Sequence, residues 1–156
     1  MIGTHINATS ANAKHSRRPR ALGSRKLQTS RSDQAIIHAF YEVYNELGHG
    51  FLESVYEEAL FRVLKADGIS VQRQYPLPVW FRGEQIGDFR ADLIVTDNVI
   101  VELKAVKALE PFHEAQLLNY LRASDLEVGL LLNFGPSPKL KRLVFANEKK
   151  HLRVSA

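Results

Sequence analysis

A chain of 156 residues is long enough for one domain with a real core and short for two. It has no cysteine, which excludes disulfides, thiolate zinc sites, iron–sulfur clusters and cysteine nucleophiles; any metal must use carboxylates, histidines or carbonyls, and the composition fits a cytoplasmic protein. The net charge of +4 divides unevenly: residues 1–31 hold seven Lys/Arg and no acid, so residues 32–156 carry 14 basic against 17 acidic side chains and are mildly acidic.

The basic tail (residues 1–31) reads either as a disordered leader or as an arm with sequence-independent attraction to phosphate backbones. No apolar stretch follows its charges, which excludes a secretory signal, and no run approaches the roughly 20 apolar residues that span a bilayer. A domain is expected over residues 32–156. Ser32 reads as the N-cap of a helix, with Ile36, Phe40, Val43 and Leu47 at helical spacing until Gly48. A second helix is expected from Phe51 to Ala66, ended by Asp67-Gly68. Residues 69–81 alternate as a strand, and Tyr75-Pro76-Leu77-Pro78 marks it as an edge or a bend. Arg82-Gly83-Glu84 turns the chain into a second strand (85–95), Thr96-Asp97-Asn98 turns it again, and 99–106 is a third strand. Pro111 opens a helix to Ala123, Val128–Phe134 has the continuous apolar character of a buried strand, and Leu140–Phe145 is a last short strand or helix. The order is α-α-β-β-β-α-β plus that tail element, an α/β (α+β) domain.

Polar residues that break these patterns carry the chemistry. At about 100° per residue, Leu52, Val55, Tyr56, Ala59, Leu60, Val63 and Leu64 form one broad stripe. Glu53 falls inside it, where a carboxylate needs a cation partner unless it reaches solvent or serves the helix N-terminus. Asp92 interrupts the second strand, and Glu102-Leu103-Lys104 ends the apolar run of the third. Residues two apart share a strand face, so Glu102 and Lys104 project together. A three-residue loop at 96–98, with Asn98 left-handed at its third position, would set Asp92 directly opposite Glu102. Two neighbouring carboxylates and a lysine suit a hard cation such as Mg²⁺ or Mn²⁺ and phosphodiester chemistry, although the same trio also occurs as a structural charge cluster. His113, Gln116 and Tyr120 form a polar stripe on the following helix, fit either to bind phosphate or orient Lys104, or simply to edge an amphipathic helix.

Several linked motifs then resemble a known family. Gly50-Phe51-Leu52-Glu53-Ser54-Val55-Tyr56 is similar to the G-x-x-E-x-x-Y signature of the GxxExxY proteins, a branch of the PD-(D/E)xK nuclease superfamily. The likeness continues through Gly87–Asp92, Val101–Val106, His113–Leu121 and Val128–Gly135, covering roughly residues 32–146. It implies a three-layer core with a central mixed sheet, and a Mg²⁺- or Mn²⁺-dependent nuclease acting on nucleic acid, DNA before RNA. It further implies metal ligation by Asp92, Glu102, Glu53 and the Leu103 carbonyl, with Lys104 as the catalytic lysine. Tyr56 belongs to the signature, and Gln116 with Tyr120 resembles a Q-x-x-x-Y helix motif. Ala91 stands where the superfamily's name has proline. The competing reading is a non-catalytic nucleic-acid- or partner-binding module of the same fold. Arg73, Arg82, Arg90 and Arg122 are candidates to line a nucleic-acid groove, and oligomerisation is left open.

Overall fold

The computed structural model describes residues 29–150; most of the expected tail, residues 1–28, and residues 151–156 lie outside the described residues. The first helix, α1 (Arg31–Leu47), begins before Ser32. Ser30 Oγ accepts the Asp33 N–H at 3.1 Å, and Asp33 Oδ2 accepts the Ser30 N–H at 2.9 Å. This reciprocal box satisfies two otherwise orphan donors, which is why Ser30 caps the helix in place of Ser32. The Ser32 hydroxyl instead pairs with Thr96 Oγ1 at 2.9 Å.

Helix α2 (Glu53–Ala66) starts two residues later than expected, leaving Phe51 and Leu52 exposed. Its buried face runs through Tyr56, Glu57, Leu60 and Leu64, while Val55 is exposed. Tyr56 sets this rotation. Its ring stacks on Phe134 at 4.3 Å, and its hydroxyl donates to the Gly48 carbonyl at 2.7 Å and accepts the Phe51 N–H at 3.2 Å.

Strands β1 (Val71–Phe81) and β2 (Glu84–Val95) form an antiparallel hairpin. Its two-residue loop, Arg82-Gly83, has φ of 50° and 80°, the left-handed pair that a type I′ turn requires. Strand β3 (Val99–Lys104) pairs antiparallel with β2 in the expected register, Val95 against Val99. The left-handed residues in this loop are Thr96 and Asp97, at φ 51° and 56°, and not Asn98. The Asn98 N–H closes onto the Val95 carbonyl at 3.1 Å, so the chain reverses in a type I′ turn that follows the twist of the strands.

Helix α3 (Pro111–Ala123) crosses over to β4 (Val128–Phe134), which pairs parallel with β3. The final element is a strand, β5 (Pro138–Val144), antiparallel to β4. The order is therefore α-α-β-β-β-α-β-β around one mixed sheet, β1-β2-β3-β4-β5, with the proline-bearing β1 at an edge. Helices α1 and α2 cover one face through Ile36, Phe40, Tyr56 and Leu60 against Leu93, Val101, Leu103 and Leu132. Helix α3 covers the other through Leu117 and Leu121 against Ile94, Ile100 and Leu131. No helix among the described residues is long and apolar enough to cross a membrane.

One side chain extends the sheet beyond Lys104. Asn133, buried in β4, accepts the Val106 N–H and donates to the Val106 carbonyl, both at 3.0 Å. Asn133→Ala leaves both backbone groups without their partner at the exit of β3. It should cost about 2 kcal/mol or more of stability by chemical denaturation, and an unchanged midpoint would show that solvent replaces the amide.

Candidate active site

The β2–β3 ladder ends at the Leu93–Val101 rung, and side chains continue it. Glu102 Oε1 accepts the Asp92 N–H at 3.0 Å, and Asp92 Oδ2 accepts the Leu103 N–H at 2.9 Å. Each carboxyl thus bonds the opposite strand's backbone.

A change of face explains why Asp92 can reach this position. Along β2, Phe89 and Ala91 pack with the α3 cluster, whereas Leu93 and Val95 pack with the α1–α2 cluster. Strict alternation would keep all four odd-numbered residues on one face. The pleat therefore slips at Asp92, which lies half-buried between the layers. Strand β3 alternates regularly: Leu103 joins the α1–α2 core, so Glu102 and Lys104 lie towards α3.

Lys104 Nζ donates to Gln116 Oε1 at 2.9 Å, and Gln116 Nε2 donates to the Tyr120 hydroxyl at 2.9 Å. The i, i+4 spacing on α3 builds this relay. His113 is not part of it. Its Nδ1 accepts the Glu110 N–H at 2.9 Å, fixing the start of α3, and its ring lies 4.0 Å from Phe112. Tyr56 is likewise engaged away from the carboxyls, by the Gly48–Phe51 loop.

Burial dominates the electrostatics, and neighbouring negative charge adds to it. Burial, reinforced by the charge of Asp92, pushes Glu102 up to about 9. Asp92 is raised by burial, with the Leu103 N–H opposing and the charge of Glu57 adding to the rise. Glu53, in the first turn of α2, is exposed as a residue, yet partial burial of its carboxyl raises it, against the pull of Lys104. Tyr120 is raised by burial and then by Glu102. Glu53 lies within electrostatic reach of Lys104, Asp92 and Glu57, and Glu102 within reach of Asp92 and Lys104.

Glu57 is the residue that sequence pattern missed. It is buried one turn beyond Glu53, accepts the Gln74 Nε2–H at 2.9 Å and lies 3.7 Å from Arg73 Nε. The signal for it is its i+4 relation to Glu53, which a stripe that includes Val55 obscures. The four arginines do not share one groove: Arg73 is engaged by Glu57 and Glu58, Arg90 Nη1 donates to the Gln74 carbonyl, and Arg82 lies over the Phe81 ring at the hairpin tip. Arg122 lines a groove of about 590 Å³ with Tyr75, Leu77, Trp80 and Ser124, to which Glu53, Asp92 and Glu102 do not contribute.

Among the described residues, no three acid or imidazole groups already converge to enclose a metal ion. The donor set nonetheless fits a hard cation. Asp92 and Glu102 each keep a second oxygen. The Leu103 N–H faces β2, and the carbonyl of the same residue lies on that side of the strand, where the ladder has ended. Carboxyls raised chiefly by burial, and for Glu102 next by the charge of Asp92, are relieved by an oxygen-seeking cation as they are by a proton.

The family model of the PD-(D/E)XK nuclease superfamily matches residues 30–143. No curated protein and no solved structure matches the chain.

Proposed function

The chain belongs to the PD-(D/E)XK nuclease superfamily, and from that premise we propose that it is a metal-dependent nuclease that hydrolyses phosphodiester bonds in DNA. The carrying observation is the Asp92–Glu102 pair at the end of the β2–β3 ladder, with Lys104 held beside it by Gln116. Asp92, Glu102 and the Leu103 carbonyl would hold Mg²⁺ or Mn²⁺, with Glu53 approaching from α2 as a third acid. When bound, the ion supplies Lewis-acid polarisation of a phosphoryl oxygen and a bound water of lowered pKa. Lys104 orients the attacking water and neutralises charge developing on the phosphate; Gln116 and Tyr120 fix the ammonium in place. The G-x-x-E-x-x-Y match at Gly50–Tyr56 supports placing the chain among the GxxExxY proteins. A soluble cytoplasmic setting fits the absence of cysteine.

The mildly acidic charge of residues 32–156, which suits a protein partner better than a phosphate backbone, supports a second reading, a nucleic-acid- or partner-binding module that keeps the fold without cleaving. Incubation with supercoiled plasmid, single-stranded DNA and RNA in Mg²⁺, Mn²⁺ or EDTA separates the two. Metal-dependent cleavage that favours DNA is the expected result. Binding without cleavage in either metal would replace the enzyme by the module.

Thermal denaturation offers a test that needs no substrate. Preferential binding of the ion to the folded state should raise the melting temperature, by about 2.7 kcal/mol of stability at a hundredfold excess over Kd. Asp92→Asn keeps the shape and removes one charge, so it should lose most of that gain. An Asn variant that responds to Mn²⁺ as wild type does would remove Asp92 from the ligand set.

A further inference from the structure

The ladder between β1 and β2 has one gap inside its regular register. Arg73 faces Leu93 and Tyr75 faces Ala91, so Gln74 stands opposite Asp92, yet these two do not pair. No residue is inserted here. Instead Gln74 adopts φ 48°, a left-handed conformation that a glutamine rarely takes. Both strands change face across this point: Val71 and its partner Val95 pack with the α1–α2 cluster, and Leu77 and its partner Phe89 pack with the α3 cluster. The slip that sets Asp92 between the layers is thus matched, rung for rung, by the turned backbone of Gln74.

A strained backbone persists only where its surroundings over-determine it. Three contacts do so here. Gln74 Nε2 donates to Glu57 Oε1 at 2.9 Å, and the Gln74 carbonyl accepts from Arg90 Nη1 at 3.4 Å. The neighbouring Arg73 guanidinium is held by Glu58 and lies 3.7 Å from Glu57. Glu57 is itself buried, on a helix whose rotation is fixed by Tyr56. The Asp92 N–H, unpaired with Gln74, turns to Glu102.

We propose that Glu57 and Gln74 are positioning residues: the helix-borne carboxylate locks the left-handed Gln74, and that conformation holds Asp92 out of the β1–β2 ladder and towards Glu102. Their part in the reaction rests on the reading of Asp92 as a metal ligand; their part in placing Asp92 does not.

The experiment compares Gln74→Val with Gln74→Gly, and Glu57→Ala with Glu57→Gln, in the full chain. Glycine enters φ > 0 freely and a β-branched residue resists it, whereas glutamine at 57 retains an oxygen for Gln74 and alanine does not. Amide exchange at Asp92 and Leu103, in metal-free protein, reads the placement directly. Valine at 74 should speed both amides about tenfold more than glycine does, with α1 and β4 unchanged. The Mn²⁺ midpoint of thermal stabilisation should rise in the same order. On plasmid, kcat should fall about tenfold for Gln74→Val while KM moves less than about threefold, because transition-state geometry is lost and substrate binding is not. Wild-type exchange rates in Gln74→Val, or equal effects of valine and glycine, would overturn the proposal. Should Gln74→Val fail to fold, the Glu57 pair decides: faster exchange in Glu57→Ala that Glu57→Gln largely restores supports it, and identical behaviour defeats it. If wild type neither responds to Mn²⁺ nor cleaves, the metal reading falls, and the exchange rates still decide whether these residues place Asp92.

Discussion

Lys104→Ala is expected to reduce cleavage by about 10²–10³-fold while leaving Mg²⁺-dependent thermal stabilisation close to that of wild type. The separation follows from what the side chain touches. Lys104 Nζ donates to Gln116 Oε1 and lends its charge to Glu53, Asp92 and Glu102, but it supplies no oxygen to a cation. In the proposed reaction, removing it would take away the positive charge that meets the developing phosphorane and would keep every candidate ligand. Gln116→Ala should have a smaller effect, about tenfold, because the ammonium remains and only its orientation is relaxed. The measurements are initial rates of plasmid relaxation and melting temperatures across a Mg²⁺ series, made on the same preparations. A Lys104→Ala protein that cleaves at the wild-type rate would take the lysine out of the mechanism. Loss of the metal response along with cleavage would mean that the substitution disturbs the ligands and not only the chemistry.

Much of this arrangement could be read from residue pattern, and the places where it could not have physical causes. The odd length of the 96–98 loop gave the register that pairs Val95 with Val99, and the two-residue spacing of Glu102 and Lys104 put both on one face of β3, although the paired ladder stops at Leu93–Val101, one step short of Asp92 and Glu102. Pro111 located the start of α3, since its fixed φ and missing N–H suit the first turn. Spacing could not fix the rotation of α2. A broad apolar stripe has soft edges, and a stack on Phe134, 78 residues away in sequence, decided that Glu57 and not Val55 faces inward. The capping role of His113 was hidden because a polar residue at a helix start has the same spacing whether it serves the backbone or a ligand. The slip at Gln74 and Asp92 has no local signature: glutamine carries none of the preference for φ > 0 that glycine or asparagine would have shown.

The carboxyl pair should also leave a mark on stability that needs no substrate. In the metal-free protein, Glu102 is held up to about 9, chiefly by burial and then by Asp92, whereas in the unfolded chain it returns to the ordinary carboxylate range. Between those limits the folded state binds more protons than the unfolded one, so stability must fall as pH rises. The contribution is complete below the unfolded value and lost as pH climbs through about 9, since the fold must then carry an ionised, buried Glu102. Asp92 and Glu53, also raised, act with the same sign. Glu58 is lowered by its hydrogen bonds to Arg62 and Arg73, which places its effect on the acid side, outside this window. Each tenfold change in proton affinity is worth about 1.4 kcal/mol, so the decline between about pH 5 and pH 9 should reach several kcal/mol. Glu102→Gln removes the ionisation and keeps an acceptor for the Asp92 N–H. In metal-free buffer this variant should therefore be more stable than wild type at pH 8–9 and nearly equal to it at about pH 5. Saturating Mg²⁺ should flatten the wild-type profile, because the cation takes over the neutralising role of the proton, and it should do little for the glutamine variant. Denaturant unfolding from about pH 5 to pH 9, with and without EDTA, makes the comparison. A wild-type stability that stays level or rises across that range would mean that Glu102 is ionised without cost, and that the pair is not the charge-starved cluster a cation would complete.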